Sequence, residues 1–343
     1  MTTENINAGI TQGAAESMEK IFGDFSFQDV VNDIVGGRFF PDSQNILTRL
    51  ISIFLGELKT AFALIGSIAA LILISAFLNN LHHSFGKNSV SEATGLAVFV
   101  YIAAIAATSF KTAAEYVLAT LHDITVFVHS IIPSMTMLCM SGGEAATATM
   151  AHPVIFFVCS AAGSLIKNVI TPLVLLRAVC ILLCAITKNG ALNEFSELFT
   201  KLHKTLLALS MSLFAGILGI SSFAAASFDS LAARGVKFAI SASVPVVGGS
   251  ISEAMSSVAG SAMLLKNAVG LGGVVVLFAM FALPLLKMWA LSLAFRITAA
   301  FTAPVSEKRV SETLRKIGDC IDMLFSSVAS MGTIMIIAIA SIL

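Results

Sequence analysis

Charged side chains are scarce in this sequence. Asp, Glu, Lys and Arg fill 12% of its 343 positions, where a soluble domain carries about 25%. A soluble fold of this length could bury a large core, but its surface would still need more charge than is present. The formal net charge is zero, which excludes the basic footprint of a nucleic-acid-binding protein. Cysteine is sparse as well. Cys139, Cys159, Cys180, Cys184 and Cys320 form no CxxC pair, and an odd, unpaired set argues against a disulfide framework. Four of the five lie in apolar runs and read as small membrane-buried side chains. His82-His83 is the one histidine pair, and no further ligand follows at metal-site spacing, so no metal or other cofactor is expected. HExxH, GxSxG, a phosphate-binding loop and an intramembrane Asp pair are all missing. No catalytic residue is therefore assigned, and the chain is not expected to be an enzyme. The first ten residues have neither the basic start nor the apolar run of a signal peptide. Either the protein has no signal, or this is a mature form.

What is abundant is apolar sequence: 57% of residues are hydrophobic. A membrane-crossing helix needs about 20 mostly apolar residues to span roughly 30 Å of hydrocarbon. Backbone in lipid must satisfy its own hydrogen bonds, and these runs are too long and unalternating for barrel strands. The expected fold is therefore all-α and polytopic. Spans are predicted at 61–78, 93–110, 124–140, 205–228, 267–286 and 323–343. The stretch 145–186 is too long for one crossing, so a helical hairpin turning at Lys167-Asn168 is predicted, giving about eight crossings. The segment 237–265 is apolar but interrupted by Pro245, Gly248 and Gly249. It reads as re-entrant, as two half-helices or as a conventional crossing.

Residues 1–60 form a distinct polar, amphipathic helical segment ahead of a membrane domain over 61–343. Phe27, Val30, Val31 and Ile34 recur on one helical face. Gly36-Gly37 ends that helix, and Asp42 or Ser43 caps a second. Its apolar face is Ile46, Leu47, Leu50, Ile51, Phe54 and Leu58. This prelude either packs on the protein's own spans or rests on the lipid bilayer.

Lys and Arg in short loops set membrane orientation. Lys188, Lys201 and Lys204 mark 188–204 as cytoplasmic, and Lys308, Arg309, Arg315 and Lys316 mark 303–318. With 154–187 as a hairpin, 141–152 falls on that same side and both chain ends lie outside the cytoplasm. Arg38, Arg49 and Lys59 pull the other way.

Charges inside apolar runs are costly and so informative. Lys287 and Arg296 lie near a helix end and can snorkel. Arg177 is deeper and needs a carboxylate, a helix C-terminus or a partner chain. Asp319 and Asp322 stand at the expected start of the last helix, where they complement its dipole. An internal echo links Ala162-Gly163-Ser164-Leu165-Ile166-Lys167-Asn168 to Ala259-Gly260-Ser261-Ala262-Met263-Leu264-Leu265-Lys266-Asn267. Each copy follows a proline, Pro153 or Pro245, and ends in Lys-Asn. Paired interrupted helices can mark a transport site. Candidate transport, gating or interface residues are Lys167, Asn168, Arg177, Pro245, Gly248, Lys266, Asn267 and Gly270. Gly270-Leu271-Gly272-Gly273 lacks a nucleotide-loop context and reads as close helix packing. Ser212 with Gly216, and Ala215 with Gly219, are small-xxx-small pairs that serve contact within the chain, with a second copy or with another subunit.

Several of these stretches, taken together, resemble the stage III sporulation protein AE family, multi-pass membrane proteins of endospore-forming bacteria. The matching pieces are Ser141-Gly142-Gly143, His152-Pro153, Lys167-Asn168, Pro172-Leu173 and Lys237-Phe238. They continue with Pro245-Val246-Val247-Gly248 and Lys266-Asn267-Ala268-Val269-Gly270-Leu271-Gly272-Gly273-Val274, in order from about residue 60 to the end. Family members often begin with a cleavable signal. The resemblance implies a subunit of the channel joining mother cell and forespore after engulfment, in the mother-cell membrane around the forespore. Its implied partners are the other stage III sporulation membrane proteins of that complex, a forespore protein and an ATPase. The channel is thought to sustain late forespore gene expression by passing small molecules. The alternative from the residues alone is a stand-alone permease with its site at the paired broken helices.

Overall fold

Among the described residues every apolar run predicted to be helical is helical, but the helices are longer and fewer than the runs; the Pro245 interruption of 237–265 lies outside the described residues. The computed structural model describes residues 19, 21, 27–36, 43–85, 88–187, 190–243, 248–304 and 308–343. The helices are α1 (Phe27–Val35), α2 (Ser43–Phe85), α3 (Asn88–Ser141), α4 (His152–Leu165), α5 (Thr171–Thr187), α6 (Gly190–Ser243), α7 (Gly248–Thr302) and α8 (Lys308–Ala340). Two π-helical turns, Thr147–Ala151 and Ile166–Ile170, precede α4 and α5. Among the described residues, six helices are long and apolar enough to cross a membrane. The protein is an all-α membrane protein, with six such helices where about eight crossings were expected.

Two expected boundaries were not real ones. Nothing in 111–123 is Gly or Pro, so the polar step between the predicted spans 93–110 and 124–140 does not end a helix. Lys111 and Glu115 instead pair across one turn at 3.6 Å, a spacing that supports helix. The result is the 54-residue α3, roughly 80 Å long at about 1.5 Å per residue.

The hairpin predicted at Lys167-Asn168 is likewise absent, because the helix absorbs its proline instead of turning. Pro172 has no N–H and would leave a carbonyl bare in the preceding turn. The π turn at Ile166–Ile170 shifts the register just ahead of it. Buried Thr171 then donates its hydroxyl to Ile166 O at 2.9 Å. The same device stands one step earlier, where the π turn Thr147–Ala151 precedes Pro153. Such single-turn insertions let a helix bend without breaking.

The centre of the bundle is α7 packed along α8. Residues Val310, Leu314, Ile317, Ile321, Leu324, Val328, Met331 and Met335 on α8 are all buried. Their alternating four- and three-residue spacing is the seam of a supercoiled pair. Phe281 covers Gly332, where a Cβ would come within 2.7 Å of its ring. α2 and α3 pack on α7, α3 also touches α8, and α5 and α6 pack together and on α8. α1 docks on α7, burying Val30 and Val31, so this part of the polar prelude rests on the chain's own helices. α2 runs without interruption from the second predicted prelude helix into the first predicted span. Leu50 and Ile53 face the core there, while Ile51 is exposed.

Helix continuity also changes the topology. A single run from 147 to 187 puts its two ends, Thr147 and Thr187, at opposite ends of the bundle. The expectation that 141–152 and 188–204 share one side therefore fails with the hairpin. The regions 188–204 and 303–318, expected as loops, are mostly helical extensions in α6 and α8. Lys308, Arg309 and Lys316 of α8 still gather beside Gly190 at the start of α6, where Lys316 Nζ donates to Asn193 Oδ1 at 2.6 Å.

Candidate functional site

The bundle holds two polar sites within its helical length, one toward each end. The first is built where α3 gives way to the next helix. Gly143 takes φ +85°, a conformation that L side chains adopt only under strain, and this turns the chain out of Ser141-Gly142. Glu144 follows directly. Its Oε2 accepts from Lys266 Nζ of α7 at 2.7 Å, and the lysine side chain is 3% exposed. From α6, Asp229 is 8% exposed. Its carboxylate accepts the Ala146 and Thr147 amides at 2.7 and 2.8 Å. Free amides at a helix start need acceptors, and a carboxylate there also meets the positive end of the helix dipole. Three elements are thus tied at one point by two carboxylates and one ammonium. A cleft of about 510 Å³ opens beside them, lined in part by Thr147, Ser222, Ser230, Gly260 and Leu343.

The second site lies toward the basic end, between α5, α6, α7 and α8. Arg177 is 7% exposed. Its Nη1 donates to Cys320 Sγ at 3.1 Å and Met323 Sδ at 3.2 Å. Of the three partners expected for it, a carboxylate, a helix C-terminus or a partner chain, the first is not found: among the described residues it forms no salt bridge. Arg296 of α7 instead takes both acidic residues of α8, Asp319 at 2.9 Å and Asp322 more closely. These two aspartates were expected at a helix start. The helix begins at Lys308, more than two turns earlier, so a side chain and not the helix dipole neutralises them. His203 Nε2 is 3.2 Å from Ser327 Oγ. A cleft of about 670 Å³ runs between Arg177, His203, Lys204, Arg296 and the two aspartates.

The remaining candidates are scattered. Lys167 and Asn168 are exposed on the outer face, with Asn168 Nδ2 donating to Ser164 Oγ at 3.0 Å. Asn267 is also exposed, whereas Lys266 is buried. The two Lys-Asn steps of the internal echo therefore have unlike surroundings: one lysine faces outward and the other is locked in an ion pair. Gly270 is a packing residue, since a Cβ there would overlap Leu343. Gly273 likewise lies against Ile131 of α3. Gly248 starts α7, and Pro245 lies outside the described residues. Lys287, expected to snorkel, sits over the Tyr116 ring at 4.4 Å. Among the described residues no group of His, Cys, Asp and Glu can hold a metal ion.

Glu144 and Asp229 were missed in the sequence, although both stand out once sought. Glu144 directly follows the Ser-Gly-Gly break, and Asp229 is the one acidic residue between Glu197 and Glu253.

The comparisons with known proteins point to one family. The family model described as Stage III sporulation protein AE matches residues 25–343. The chain is 27% identical over 311 residues to "Stage III sporulation protein AE" of Bacillus subtilis (strain 168), covering 91% of this chain and 78% of that protein. No solved structure matches. A six-helix membrane bundle whose match runs from α1 to the last residue, through both polar sites, belongs to the stage III sporulation protein AE family.

Proposed function

We propose that this protein is a membrane subunit of the mother cell–forespore channel complex needed for endospore formation. It sits in the mother-cell membrane with its basic end toward the mother-cell cytoplasm. Membership of a sporulation family supports the process. The subunit reading rests on one observation, the bare outer face of α6. α6 is the least buried of the six membrane-length helices. Its small-xxx-small residues Ser212, Gly216 and Gly219 face outward, and a Cβ at either glycine would meet nothing within 4 Å. Small residues in a membrane helix serve close backbone approach, and here no described helix of the same chain uses them. Ile220 and Phe223 beside them are 75% and 78% exposed. Such a face suits a helix of another stage III sporulation membrane protein, with a second copy of this chain as the other candidate occupant.

A stand-alone permease has weaker support. It required the two Lys-Asn steps to face a common path, and Lys167 and Lys266 have opposite environments.

The test is a Gly216→Leu/Gly219→Leu double substitution in sporulating cells. The open space means the protein should accumulate normally, while co-purification of the other stage III membrane proteins and the yield of heat-resistant spores should fall together. Wild-type co-purification and spore yield would remove α6 as the docking face. Solute uptake by the purified protein alone in liposomes would instead favour the permease.

A further inference from the structure

A cleft between α5, α6 and α8 carries more positive charge than its walls neutralise. It holds about 330 Å³, and Lys308, Arg309 and Lys316 line it against one acid, Glu312. Two positive charges are left over. Lys308 and Glu312 stand 3.7 Å apart with side chains 89% and 44% exposed, an arrangement that contributes little. Lys316 Nζ donates to the neutral amide of Asn193 at 2.6 Å. The Arg309 guanidinium lies 4.1 Å from the centre of the Phe99 ring, and a guanidinium stays charged in any protein. Among the described residues neither Arg309 nor Lys316 forms a salt bridge.

The surroundings indicate where the missing anion comes from. The cleft's apolar wall is Ile181, Cys184 and Ala185, in the last turns of α5. On the same helix Leu176, Val179, Leu183 and Ile186 are between 40% and 53% exposed. Their three- and four-residue spacing makes one outward apolar stripe, on a run long and apolar enough to cross a membrane. The stripe stops where α5 stops, at Thr187, beside the three cations. Acyl chains lying along it therefore bring their headgroup to the cleft. Basic pockets between membrane helices hold anionic headgroups in this way. A soluble acidic peptide meets the cations but leaves the apolar stripe unused. Two excess charges match two phosphates, and the volume lies within the usual range of small-ligand sites, about 300–1,000 Å³.

We infer that this cleft binds the headgroup of a two-phosphate anionic lipid of the cardiolipin type, whose acyl chains lie on the α5 stripe. Lys308 and Lys316 act on the phosphates as point charges, and Arg309 offers the planar N–H fork that matches phosphate oxygens. The site needs neither the α6 contact nor a particular compartment, so this reading and the channel-subunit reading can fail separately.

The experiment titrates the full chain, purified in neutral detergent, with cardiolipin, phosphatidylglycerol or phosphatidylcholine, and counts bound lipid by native mass spectrometry. One cardiolipin should bind at least tenfold more tightly than phosphatidylcholine and at least threefold more tightly than phosphatidylglycerol. Lys308→Gln/Lys316→Gln should weaken cardiolipin at least fivefold. If that variant does not fold, Lys308→Gln alone, at an exposed position, should weaken it about twofold. Glu312→Gln removes the one acid of the cleft and should tighten cardiolipin about twofold, a gain that misfolding cannot imitate. Lys201→Gln, at an exposed position of α6 outside the cleft, should leave it unchanged. The proposal is overturned if cardiolipin binds no better than either other lipid. It is equally overturned if Lys201→Gln weakens binding as much as the cleft variants, which would mean diffuse charge, or if the cleft variants bind like the wild type.

Discussion

Lys266 Nζ meets Glu144 Oε2 at 2.7 Å with the lysine side chain 3% exposed, joining the middle of the sequence to α7. The pair is well sheltered from water, so its two halves depend on each other. Removing one partner of such a pair strands a buried charge and costs about 3–5 kcal/mol, whereas replacing both by apolar groups is often neutral or better. Lys266→Met alone and Glu144→Leu alone should each lower the unfolding midpoint sharply in detergent, and the double variant should recover most of the loss. A double variant as unstable as the sum of the singles would mean that the two residues act independently.

Asp229 holds the start of the 147–187 helix from across the bundle, accepting two amides at once. Capping acceptors of this kind contribute about 0.5–2 kcal/mol. Asp229→Ala should therefore destabilise by about that amount and speed hydrogen exchange at the Ala146 and Thr147 amides. Asp229→Asn keeps one acceptor oxygen but not the charge, and should fall between. Unchanged exchange at those two amides in Asp229→Ala would refute the capping role.

Two glycines separate packing from open surface. At Gly332 an added Cβ meets the Phe281 ring at 2.7–3.0 Å, while at Gly216 it meets nothing. Gly332→Ala should destabilise by about 1–3 kcal/mol through overpacking. Gly216→Ala should be neutral or stabilising by up to about 1 kcal/mol, since alanine is the better helix former. Thermal unfolding of the two single variants checks the contrast.

The helices were legible because long apolar runs in this composition have few other solutions. The joints were not, and the reasons are local. Lys111, Lys167 and Pro172 looked like interruptions, yet a Lys–Glu pair one turn apart and a π turn before proline both let a helix continue. In α8 a readable signal was passed over. The four-and-three spacing from Val310 to Met335 runs through the charged stretch assigned to a loop, and it marks a helix with one buried seam. The polar sites were harder to read, because each depends on contacts between residues far apart in sequence. Lys266 and Arg177 were singled out by their cost in an apolar run. Nothing local, however, said that Glu144 would neutralise one while sulfur atoms would face the other. The Lys-Asn echo shows the limit from the other side: matched local sequence leaves Lys167 on the outer face and Lys266 in the core.

That difference gives a direct comparison of the two lysines. Lys167 is exposed on a helix whose exposed neighbours include Phe156, Phe157 and Val169, and it makes no ion pair among the described residues. Its long stem can carry the ammonium toward the interface, so Lys167→Ala removes little that the fold uses. Lys266→Ala strands Glu144. Folded yield and melting temperature should therefore be close to wild type for Lys167→Ala and clearly reduced for Lys266→Ala. If the two lysines formed one transport path, both variants would instead lose spore formation while remaining folded. Spore counts read beside melting temperatures separate these outcomes. A Lys167→Ala protein that folds normally but cannot support sporulation would restore the outer lysine as a functional residue, most simply as a contact for an acidic group on a partner helix.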